Sequence, residues 1–70
     1  MKIQYDPDFV RALKKVDVLI RQRFKERIAV FARDPEYPQL NNHPLKREYL
    51  GYRSIDLTAD WRVIYKEIKV

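Results

Sequence analysis

Gly51-Tyr52-Arg53-Ser54-Ile55-Asp56-Leu57-Thr58-Ala59-Asp60-Trp61-Arg62-Val63-Ile64-Tyr65-Lys66 is the stretch whose reading decides the fold. Tyr52 to Leu57 alternates, with Arg53, Ile55 and Leu57 on one face and Tyr52, Ser54 and Asp56 on the other. Thr58-Ala59-Asp60 is a short turn. Trp61 to Ile68 alternates again, Trp61, Val63 and Tyr65 opposing Arg62, Ile64 and Lys66. The two strands make an antiparallel hairpin. Gly51, the only glycine, is expected to mark a backbone position where a side chain would not fit.

Working back toward the N-terminus, residues 34–50 hold three of the four prolines and two asparagines. They read as an irregular connection, of a length that in a small domain is usually functional or disordered. Before it, Ile20, Phe24, Ile28 and Phe31 form an apolar stripe along a helix from Val18 to Arg33. Arg21, Lys25 and Glu26 occupy its other face. Asp34-Pro35 ends it, because proline disfavours helical geometry in the preceding residue. Asp17 either caps this helix after a tight break, the favoured reading, or is a surface residue of one long helix. An earlier helix starts at Asp6-Pro7-Asp8, a capping aspartate followed by proline at the first helical position. Phe9, Leu13 and Val16 line one side of it. Lys2 to Tyr5 is a short strand. The order is β-α-α-loop-β-β, an α+β domain with a two-helix hairpin packed on a small antiparallel sheet. Two helices cover one sheet face and leave the other free for function.

Seventy residues make one domain with a small core. No cysteine staples it, and a single histidine argues against a structural zinc site. No metal or other cofactor is expected. No apolar run approaches the roughly 18 residues of a membrane span, and the N-terminus lacks the apolar core of a signal peptide. The chain reads as soluble and cytoplasmic, with no membrane partner. A net charge of +5 makes a polyanion a plausible partner, although many basic domains simply have charged surfaces.

His43 is the sharpest chemical candidate. Cutting RNA without a metal needs a base for the 2′-hydroxyl proton, an acid for the leaving oxygen and cations for the charged phosphorane. Histidine suits proton transfer and arginine suits the phosphate. Lys46, Arg47, Arg53 and Arg62 lie near His43 in sequence. Tyr49, Tyr52, Trp61 and Tyr65 offer rings on which bases stack, although Trp61 and Tyr65 read more readily as core, because apolar strand residues usually pack. Arg53 shares a strand face with Ile55 and Leu57, so it must find a partner or snorkel. Asp60 reads as a turn-fixing residue. Asp56 has two open readings, as a turn residue or as a carboxylate orienting His43.

His43-Pro44-Leu45, Gly51-Tyr52-Arg53-Ser54 and Asp60-Trp61-Arg62-Val63-Ile64-Tyr65 together resemble the RelE/ParE superfamily of bacterial toxins, most closely its RelE/StbE or YafQ-like branch. With Lys2-Ile3 and the Asp34-Pro35 stop, the similarity spans essentially residues 1–70, a single RelE-like toxin domain. The resemblance implies the toxin of a type II toxin–antitoxin pair. Such a toxin is a metal-independent endoribonuclease that cuts mRNA in the ribosomal A site and is neutralised by a cognate antitoxin. It implies catalytic roles for His43, Asp60, Arg53 and Arg62, and RNA contacts for Lys46, Arg47, Tyr52, Trp61 and Tyr65. Asp56 stands where the branch carries a second histidine. The family continues past the position of Val70 with a further strand and more catalytic groups. The expectation is therefore a C-terminally short domain with an open sheet edge, which pairs with an antitoxin or a second copy. The competing expectation is a weak or inactive relative that acts by binding antitoxin or by inhibiting gyrase.

Overall fold

The computed structural model describes residues 2–68. Strand β1 (Lys2–Tyr5) leads into helix α1 (Pro7–Lys15) and helix α2 (Val18–Arg33). After the connection come β2 (His43–Pro44), β3 (Arg53–Asp56) and β4 (Arg62–Ile68).

The helix boundaries follow from capping chemistry. The Asp6 carboxylate accepts from the Phe9 amide at 3.1 Å, with Pro7 at the first helical position. Asp17 accepts from the amides of Leu19 and Ile20 at 2.9 and 3.2 Å. Each cap satisfies amides that the first turn of a helix leaves without a partner. Between them Val16 is extended, which makes the break. The Asp34 amide closes the last turn on Val30, and Pro35 ends the helix.

The sheet is antiparallel, in the order β1-β4-β3-β2. Strand β4 is therefore central, paired with β1 on one side and β3 on the other. The edges are β1 and the two-residue β2. The expected open edge does not fall on the last described strand, whose neighbours already bond it on both sides.

Both helices lie on one sheet face. The buried core joins Phe9 and Phe31 from the helices to Ile55, Leu57, Val63 and Tyr65 from the hairpin, and to Leu40. Tyr5, Phe9 and Phe24 pack their rings at 5.6–6.0 Å and tie β1 to both helices. Such aromatic groups bury much area per residue, which matters in a domain this small. The connection is not a featureless loop. It makes two single 3₁₀ turns, Pro38–Leu40 and Arg47–Tyr49, with β2 between them. Leu40 is completely buried, so the first half of the connection is part of the core. Among the described residues, no helix is long and apolar enough to cross a membrane.

Candidate functional site

The register decides which side chains meet. Arg53 pairs with Tyr65 and Ile55 with Val63, and all four side chains point toward the helices. Ser54 pairs with Ile64 and Asp56 with Arg62, on the opposite, open face. Strand β2 places His43 opposite Ser54, on that same open face. His43, Ser54 and Ile64 thus form one row across three strands. Ser54 has the shortest side chain of the row and only 1% exposure, with its hydroxyl oxygen buried and unbonded in the floor.

The His43 ring is held by its neighbour two residues back. Its Nδ1 lies 2.7 Å from the Asn41 carbonyl oxygen. A carbonyl only accepts, so Nδ1 carries the proton, and in the neutral ring Nε2 is the basic nitrogen. That is the tautomer a general base needs. Asn41 has a left-handed backbone, φ 51°, at the end of the 3₁₀ turn that Leu40 anchors. Asparagine tolerates this conformation better than most residues. Its side-chain amide donates to Asp56 at 3.4 Å. The other Asp56 oxygen is 3.7 Å from Arg62 Nε, an ion pair without a hydrogen bond. Arg62, Asp56, Asn41 and His43 therefore form a connected series. Asp56 orients His43 only through Asn41.

Tyr52 belongs to the open face by the alternation of β3. Lys66 Nζ sits 5.3 Å from its ring centroid, and Tyr49 meets the ring edge-on at 6.2 Å. Lys46 and Arg47 are exposed just after β2. These groups and the His43 row are what the open face offers to a polyanion.

Four of the expected site residues sit elsewhere. Tyr65 is 3% exposed and meets Phe31 edge-on at 5.0 Å, so no base can stack on it. Trp61 packs against the core from the edge of the same face. Arg53 is on the covered face, opposite to His43, and its Nε donates to Asn42 Oδ1 at 2.8 Å. It and His43 do not form one constellation. The physical reason is strand parity: neighbours in a strand point to opposite faces, and His43 pairs with Ser54, not Arg53. Asp60 is exposed at the turn, but Thr58 rather than Asp60 fixes that turn. The Thr58 hydroxyl accepts from the amides of Asp60 and Trp61 at 3.2 and 3.1 Å.

Sequence patterns point to neither of two further residues. Asn42 accepts from Arg53 and donates to the Tyr65 hydroxyl at 2.9 Å and the Pro35 carbonyl at 3.0 Å. Asn41 holds the imidazole. An indirect signal exists for Asn42, since Arg53 on an apolar strand face demands a polar partner. Among the described residues, no group of three or more histidine or acidic side chains is placed to hold a metal ion. No known protein family, curated protein or solved structure matches the chain.

Proposed function

We propose that this chain is a cytoplasmic, metal-independent endoribonuclease toxin of the RelE/YafQ-like type, with His43 as its general base. The observation that carries the reading is the Nδ1 contact to the Asn41 carbonyl, which leaves Nε2 as the ring's acceptor on the open sheet face. In the reaction Nε2 takes the 2′-hydroxyl proton. The ribose oxygen bonds to phosphorus, the bond to the 5′-oxygen breaks, and that oxygen leaves with a proton taken from water, while the imidazolium returns its own proton to solvent. The products are a 2′,3′-cyclic phosphate and a 5′-hydroxyl end. Arg62, on the same face, faces the charge that grows on phosphorus. In this reading mRNA in the ribosomal A site is the substrate, an antitoxin is the neutralising partner, and β1 is the sheet edge open to a second copy.

The test is a translating extract with mRNA ends mapped, run beside His43→Ala. Codon-phased cuts that fall by roughly 10²–10⁴ in the variant support the enzyme, the range expected when a general base is lost. Equal cutting by both proteins rules His43 out as the base.

A second reading has its own observation. Arg53 is held by Asn42, and Arg62 is paired to Asp56. Two cations assigned to phosphate thus already have partners inside the protein. That favours a weak or inactive RelE/ParE-like protein working by antitoxin binding or gyrase inhibition. Intact mRNA with blocked supercoiling, or with retained antitoxin binding, selects it.

A further inference from the structure

The excess positive charge is not on the hairpin. Helix α1 carries three cations against Asp8. Helix α2 carries Arg21, Arg23, Lys25, Arg27 and Arg33 against Glu26 alone. The two helices therefore net +6, while the whole chain nets +5. Everything outside the helices nets −1. A polyanion approaching this protein is drawn first to the helical layer.

On that layer Arg23, Arg27 and Arg33 line a groove of about 490 Å³ together with Glu26, Asp34 and the half-exposed ring of Tyr37, so cations outnumber carboxylates in its lining by three to two. Arg23 and Arg27 are four residues apart, as are Arg21 and Lys25, a spacing at which like charges destabilise a helix. Among the described residues neither Arg27 nor Arg33 forms an ion pair. The Arg23–Glu26 pair, 3.3 Å apart, is between exposed side chains and is weak enough for a phosphate to displace. Water and counterions screen the remaining repulsion along α2, and a bound polyanion would release those counterions.

We infer that the α2 groove binds the phosphodiester backbone of a single-stranded nucleic acid, with Arg23, Arg27 and Arg33 on successive phosphates and Tyr37 beneath a base. The choice of RNA over DNA rests on the proposed function. Three cations along one groove fit a chain that carries a charge on every link. Guanidinium groups match phosphate oxygens in pairs, and an aromatic ring beside them accepts a base of any sequence. This surface holds the strand, and the open sheet face is left to act on it.

The test is fluorescence anisotropy with a short, unstructured, labelled RNA over a range of salt, all in the His43→Ala background so that the probe stays intact. The expected result for R23Q/R27Q/R33Q is a loss of roughly tenfold or more in affinity, with the salt slope reduced by about 2 (some 0.7 per cation on single strands). K46Q/R47Q/K66Q, on the sheet side, is expected to change both less. The inference is overturned if the sheet-side variant loses the binding and the helix variant keeps it. It is also overturned if poly-glutamate competes as well as RNA, or if only DNA of the same sequence binds. Photo-crosslinking of RNA to Tyr37 in the otherwise native chain guards against a misfolded triple variant, and RNA bound without any crosslink there also overturns it. The two readings fail separately. RNA held by α2 without cleavage removes the enzyme alone, and cleavage with normal binding by the arginine variant removes the groove alone.

Discussion

The two faces of the sheet treat polar groups in opposite ways. On the covered face Arg53, Asn42, the Tyr65 hydroxyl and the Pro35 carbonyl complete one another's hydrogen bonds at 2.8–3.0 Å. On the open face the Ser54 hydroxyl and one Asp56 oxygen are buried and unbonded, and the Asp56–Arg62 contact stops at 3.7 Å. A satisfied network adds rigidity, whereas an unsatisfied one leaves groups available for other partners. The difference teaches that arginine and tyrosine beside a histidine in sequence do not thereby share its side of the sheet. Changes on the covered face are expected to move stability. Changes on the open face are expected to move chemistry.

Leu40→Ala is the most severe way to break that division. Leu40 has no exposed surface and packs with Phe31, Ile55 and Val63 in the core cluster. Truncating a buried leucine costs about 2–5 kcal/mol. A core of this size rarely supplies more than about 3–5 kcal/mol in all. The variant is expected to be largely unfolded at room temperature by circular dichroism, whereas His43→Ala, on the sheet face turned away from the core, melts like the parent. A Leu40→Ala protein with parental melting removes the claim that the core holds the connection in place.

Asn42→Ala tests the covered network more gently. It takes away the acceptor for Arg53 and the donor to Tyr65 and Pro35 in one step. Leaving such groups unpaired costs about 1–3 kcal/mol. The expected signature in urea is a lower midpoint with an unchanged slope. RNA cleavage per folded molecule is expected to stay at the parental level. If stability holds and cleavage disappears, Arg53 belongs to the catalytic site after all and the two-face division fails.

How much of this is legible in the residues depends on how local the cause is. Asp6, Pro7, Asp17 and Pro35 act within a few residues, and the helices begin and end where those residues say. The alternation of the hairpin is local too, and by itself it puts Arg53 on the face of Ile55 and Leu57. The connection from residue 34 to 50 is not legible in the same way. Leu40 becomes core through contacts with strands that lie later in the chain, and no periodicity announces a single buried residue. Strand β2 is two residues long, and one of them, Pro44, cannot donate to a ladder. The face on which His43 sits follows from that pairing alone. Residue chemistry therefore singles out the histidine, but only the pairing of β2 with β3 decides which cations share its side of the sheet.

Tyr5→Phe is the smallest and most selective probe of the covered face. Tyr5 packs between Phe9 and Phe24, and burial raises its hydroxyl above the usual 10.0. Burial acts this way because a phenolate loses its hydration there. The sign follows from which state holds the proton. Below about pH 10 the hydroxyl is neutral both folded and unfolded, so its contribution does not vary with pH. As pH climbs past 10.0 the unfolded chain gives up this proton and the folded chain keeps it. Stability therefore falls until the folded group ionises as well. Phenylalanine has no such proton to lose. The difference in urea midpoint between parent and Tyr5→Phe is thus expected to be flat up to about pH 9 and then to shift in favour of phenylalanine above about pH 10. The same comparison for His43→Ala is expected to show no divergence there. A Tyr5→Phe difference that stays constant through pH 11 (about one unit beyond the ordinary tyrosine value) means that water reaches the hydroxyl in the folded state, and the aromatic corner joining β1 to the helices is looser than its ring packing indicates.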